Sequence, residues 1–76
     1  MRPRHPNKHI EEAIQYAESR GWRVEMSKGH AWGFLLCPQY GQGDGHEARV
    51  DSTPRHPEYH AKRILRVVDR CNHGET

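Results

Sequence analysis

"SKGHAWGFLLCP", residues 27–38, is the stretch on which the fold turns. Ser27-Lys28-Gly29 is a run of turn formers. The apolar segment "HAWGFLLC", residues 30–37, has the length of a strand, and Pro38 ends it. Upstream, "WRVEM" (22–26) sets Trp22, Val24 and Met26 against Arg23 and Glu25, the alternation of a strand with one buried face. Downstream, "PQYGQGDG" (38–45) is a cluster of turn formers. "HEARVDST" (46–53) then sets Ala48, Val50 and Ser52 against Glu47, Arg49 and Asp51, a third strand. The middle run is the most apolar of the three, which predicts that it is the central strand of an antiparallel meander.

A helical pattern flanks this unit on each side. Ile10, Ala13, Ile14 and Ala17 follow the i, i+3, i+4, i+7 spacing of an amphipathic helix over residues 8–20. Asn7 is placed to cap it, Glu11 and Glu12 sit near its positive end, and Arg20-Gly21 closes it. Pro57 suits the first turn of a last helix. Ala61, Ile64, Leu65, Val68 and Cys71 trace its apolar stripe, and Asn72-His73-Gly74 ends it. The expected fold is α+β, in the order α-β-β-β-α: a three-stranded antiparallel sheet with two helices on one face. A single domain of 76 residues is expected, with a basic arm (1–7), a folded core (8–71) and a short tail (72–76).

Composition narrows the function classes. Hydrophobic residues make up 33%, enough for one modest core. No run approaches the roughly 20 apolar residues of a membrane span, and the basic N-terminus lacks the apolar stretch of a secretory signal. A cytoplasmic protein without a membrane partner is expected. In that compartment Cys37 and Cys71 read as two small buried thiols. The formal charge is only +2, yet it is unevenly spread, with basic ends around a middle that holds Asp44, Glu47 and Asp51. Basic ends fit an anionic partner such as nucleic acid, or serve simply as a solvated surface.

Several residues carry candidate chemistry. His30 stands at the mouth of the central strand, two positions from Lys28, as a packing residue, a ligand or a proton-transfer group. An imidazole can take and return a proton near neutral pH. Deprotonating a ribose 2′-hydroxyl needs that ability, and a nearby cation suits the charge that develops on phosphorus. Gly29 lets backbone approach a ligand closely. Trp32 and Phe34 share strand parity with His30, so all three belong on one face, either a stacking platform for single-stranded RNA or part of the core. Lys62, Arg66 and Arg70 recur at i, i+4, i+8 with Arg63 beside them, a ridge able to follow phosphates or to serve as a polar helix face. His56 and His60 have an i, i+4 spacing that can grip zinc, but neither paired cysteines nor an HExxH glutamate accompanies them, and no metal or cofactor is expected. The Gly41, Gly43, Gly45 alternation lacks the following helix of a phosphate loop.

Gly21-Trp22 opening strand one, "KGH" (28–30) opening strand two and "TPRHP" (53–57) before the last helix resemble the HicA family of bacterial toxins, over roughly residues 8–71. The resemblance implies a double-stranded-RNA-binding-domain-like fold and a ribosome-independent mRNA interferase. It places the catalytic histidine at His30, with Lys28 and Gly29 before it, in the order K-G-H where the family has G-S-H. "PRHP" is similar to the family's P-x-H segment and so aligns His56, while the last helix lacks the family's G-T-L-R-S-type start. The implied partners are mRNA and a HicB-like antitoxin. The implied reaction is metal-independent endonucleolytic cleavage of RNA, and the alternative is a small domain that binds RNA or a protein partner without catalysis.

Overall fold

The computed structural model describes residues 3–29, 31–38 and 46–71. His30, most of the glycine-rich turn cluster and the 72–74 helix end lie outside the described residues. The elements are α1 (Lys8–Ser19), β1 (Arg23–Met26), β2 (Ala31–Leu36), β3 (Glu47–Asp51) and α2 (Pro57–Arg70). They form an α+β fold in the expected α-β-β-β-α order, with β2 in the centre of an antiparallel sheet ordered β1-β2-β3.

Local chemistry sets the helix ends. The Asn7 side chain accepts from the His9 and Ile10 amides at 2.9 and 3.2 Å, two donors that α1 itself leaves without partners. At the other end Gly21 takes φ 91°, the left-handed conformation open to a residue without Cβ. Its N–H donates to Glu18 O at 3.0 Å, and the Trp22 N–H donates to Ala17 O at 3.1 Å. This paired closure is a Schellman motif, and it turns the chain straight into β1 with Trp22 buried. Pro57 occupies the first turn of α2, where its missing N–H costs nothing.

Both helices cover one face of the sheet. Ile10, Ile14 and Ala17 of α1 and Ala61, Ile64 and Val68 of α2 form one cluster with Leu35, Ala48 and Val50. Burying each of the large aliphatic side chains contributes about 1.5–3 kcal/mol. Met26 departs from the expected stripe of β1, being 42% exposed. β1 is an edge strand, and the helices cover the side of it that begins at Trp22 and packs Val24. Cys71 lies just past α2, as its buried C-cap.

The other face carries Arg23, Leu36 and Glu47 in one cross-strand row and Glu25, Phe34 and Arg49 in the next. Gly33 lets β1 and β2 approach closely, since a Cβ there would stand 2.8 Å from the Glu25 carbonyl oxygen.

Candidate nucleic-acid interface

The turn from β1 into β2 is held locally. Ser27 Oγ accepts the Gly29 N–H at 3.1 Å, and the Ser27 N–H donates to Trp32 O at 3.2 Å. Lys28 and Gly29 are both exposed at this tip. Gly29 does not take a positive φ, so its place here does not rest on left-handed backbone. A Cβ would meet only Ser27 Oγ, at 3.8 Å, which leaves its backbone open to an approaching group. His30, the candidate catalytic residue, follows directly in the chain and lies outside the described residues.

Trp32 and Phe34 do not form one platform. A register shift between Ala31 and Gly33 interrupts the β2–β3 ladder and breaks the alternation that strand parity assumes. Phe34 lies opposite exposed Arg49 on the uncovered face. Trp32 packs against the core cluster, with its ring edge-on to His5 at a centroid distance of 5.0 Å. It remains half-buried there.

The contact with Trp32 shows that His5, within the expected basic arm, is built into the fold. His5 is 3% exposed. Its N–H donates to the Glu11 carboxylate at 2.8 Å, and Glu11 also accepts from Gln15 Nε2 at 2.8 Å. His5 Nδ1 accepts the Asn7 N–H at 3.0 Å, which leaves the ring proton on Nε2 to be donated to Asp51 O at 2.8 Å. Composition and charge gave no sign of this role, because a histidine in a basic arm reads as solvated.

On the helix side, Lys62, Arg63, Arg66 and Arg70 are all exposed, as the ridge requires. They do not share one environment. Lys62 lines a groove of about 570 Å³ between the helices together with Glu12, Glu58 and Asp69, so acids offset its charge. Arg63 lines a second groove, about 390 Å³, between α2 and β3, where Arg49, Asp51 and His60 stand over Ile64 and Val67.

His60 is not poised as a metal ligand with His56. Its Nε2 accepts the Asp51 N–H at 3.1 Å, an arrangement that requires an unprotonated nitrogen. Burial holds its pKa below the ordinary imidazole value. The Asp51 charge opposes that shift, while Arg63, His5 and Arg49 add to it. His56 is the exposed N-cap of α2 and makes no side-chain cap bond. His9 lies 3.5 Å from Glu58.

No family model matches the chain, and no curated protein or solved structure matches it. Among the described residues no helix is long and apolar enough to cross a membrane.

Proposed function

We propose that this chain is a cytoplasmic RNA-cleaving toxin of the HicA type, held in check by a HicB-like antitoxin. The observation that carries the reading is the exposed Lys28–Gly29 turn at the entrance to the central strand of an α-β-β-β-α fold, with His30 next in the chain. The other histidines add weight. His5 and His60 have ring nitrogens engaged by backbone groups, and His9 sits beside Glu58. His46 and His56 are both exposed, and what sets His30 apart is its place in the K-G-H sequence, directly after the exposed Lys28–Gly29 turn.

In this reading the His30 imidazole removes the proton from a ribose 2′-hydroxyl. The 2′-oxygen attacks the adjacent phosphorus, the bond to the 5′-oxygen breaks, and the leaving oxygen takes a proton from the imidazolium. The products are a 2′,3′-cyclic phosphate and a 5′-hydroxyl. Lys28 offsets charge on the phosphorane, and Arg66 and Arg70 supply the exposed cations that track phosphates.

The test is expression of the chain and of His30→Ala in bacteria, with end-group analysis of RNA incubated with each purified protein. Growth arrest and cyclic-phosphate ends are expected from the parent chain and absent from His30→Ala, whose RNA affinity is retained. A 5′-phosphate product overturns the mechanism. RNA binding without cleavage by the parent chain selects the non-catalytic binding module instead.

A further inference from the structure

Three side chains distant in sequence meet at one end of the molecule: Cys37, His46 and Cys71. Cys37 follows β2, His46 precedes β3, and Cys71 is the C-cap of α2. Antiparallel pairing brings the first two together, because the Cys37 N–H donates to His46 O at 3.0 Å and so extends the β2–β3 ladder. The cap of α2 brings the third, its N–H donating to Val68 O at 3.2 Å. The two sulfurs and an imidazole nitrogen lie within 4.8 Å of one another.

We propose that Cys37, His46 and Cys71 form a structural zinc site that ties the end of α2 to the β2–β3 pair. Two thiolates and an imidazole are the donor set that zinc favours over hard cations such as magnesium or calcium. Around a tetrahedral zinc, with Zn–S about 2.3 Å and Zn–N about 2.0–2.1 Å, such donors stand about 3.5–3.8 Å apart, within the span observed. The thiols are buried, Cys37 at 1% and Cys71 at 3% exposure, whereas His46 is exposed and gives the ion a route in.

One sulfur is already supported. The His46 N–H donates to Cys37 Sγ at 3.1 Å, the kind of backbone hydrogen bond that steadies a metal-bound thiolate. Three protein ligands leave the fourth position to water or a further donor. The site suits the size of the chain. At 76 residues the core is modest, and the last turn of α2 joins it through Val68 and Cys71. A metal linking three elements contributes folding free energy where a small core falls short. The site does not rest on the ribonuclease reading, and zinc held here leaves cyclic-phosphate product ends unchanged.

The full chain, reduced and stripped of metal, is titrated with cobalt(II) and then with zinc. One cobalt per chain is expected, with thiolate-to-cobalt charge-transfer and tetrahedral d–d bands that zinc abolishes. Zinc should raise the melting temperature and slow alkylation of both thiols by about tenfold or more. His46→Ala and Cys71→Ser should weaken zinc binding beyond the roughly 10–100-fold expected when only an outer supporting group is removed, while His60→Gln retains it. Alkylation of the parent chain carries the test should a variant fail to fold. The proposal is overturned by thiols that alkylate equally fast with and without zinc, by cobalt spectra lacking the thiolate bands, or by a Cys37–Cys71 disulfide that persists in mild reductant.

Discussion

His5 and His60, from opposite ends of the chain, hold the same residue: His5 Nε2 lies 2.8 Å from the Asp51 carbonyl oxygen, and His60 Nε2 accepts the Asp51 N–H at 3.1 Å. Asp51 ends β3 at the register shift, where the ladder no longer satisfies its backbone regularly. Two imidazoles take over that task, one as donor and one as acceptor. The arm, the sheet and α2 are thereby joined at a single residue.

The bond from Asp51 to His60 has a pH signature. The folded chain favours the neutral ring, so protonation favours unfolding. This contribution to stability is complete above the unfolded imidazole pKa of about 6.5 and is lost as pH falls through the lower folded value. Thermal melts at a series of pH values between about 8 and about 5 should show the melting temperature falling on the acid side, with a shallower fall in His60→Gln. Parallel curves for the two proteins would show that the ring has no preference for its neutral form.

His5→Ala removes a donor from Asp51 O and an acceptor from the Asn7 N–H, and it uncovers an edge of Trp32. Buried polar groups left without partners cost about 1–3 kcal/mol. Urea denaturation should show a destabilisation of that size, with increased exposure of Trp32 in the fluorescence spectrum. An arm that is merely solvated predicts no change in either.

Gly33→Ala places a Cβ 2.8 Å from the Glu25 carbonyl oxygen and 3.5 Å from Met26 Cα, both backbone atoms of the paired strand. Relief requires β1 to shift away from β2, and overpacking of this kind costs about 1–3 kcal/mol. The equilibrium midpoint should fall accordingly, with amide exchange accelerated in β1 more than in β3. Equal acceleration in both strands would place the strain elsewhere.

Replacement of Lys62, Arg66 and Arg70 by glutamine should weaken RNA binding and flatten its salt dependence, by about 0.7 in slope for each single-strand phosphate that is no longer neutralised. Lys62 shares its groove with Glu12, Glu58 and Asp69, so Arg66 and Arg70 should account for most of the change. Affinity measured across a salt series for the single variants checks this order. An unchanged slope in the triple variant makes the ridge a solvated face.

The elements and their order were legible in the amino-acid sequence, because these follow from local rules. Asn7 and Gly21 bound α1, side-chain alternation marks β1 and β3, and Pro57 opens α2. The apolar richness of residues 30–37 also named the central strand, since a strand paired on both edges and covered by helices is the one with least polar surface. What those elements bring together was settled only in three dimensions. One register shift sent Trp32 to the core while Phe34 stayed on the uncovered face, and no pattern of period two encodes such a shift. The acids beside Lys62 come partly from α1, so the effective charge of the ridge depends on helix packing. His5 reaches Asp51, and Cys37 and His46 reach Cys71, only after the chain has closed on itself. Meetings between residues so far apart depend on register and helix placement, which spacing along the chain does not record.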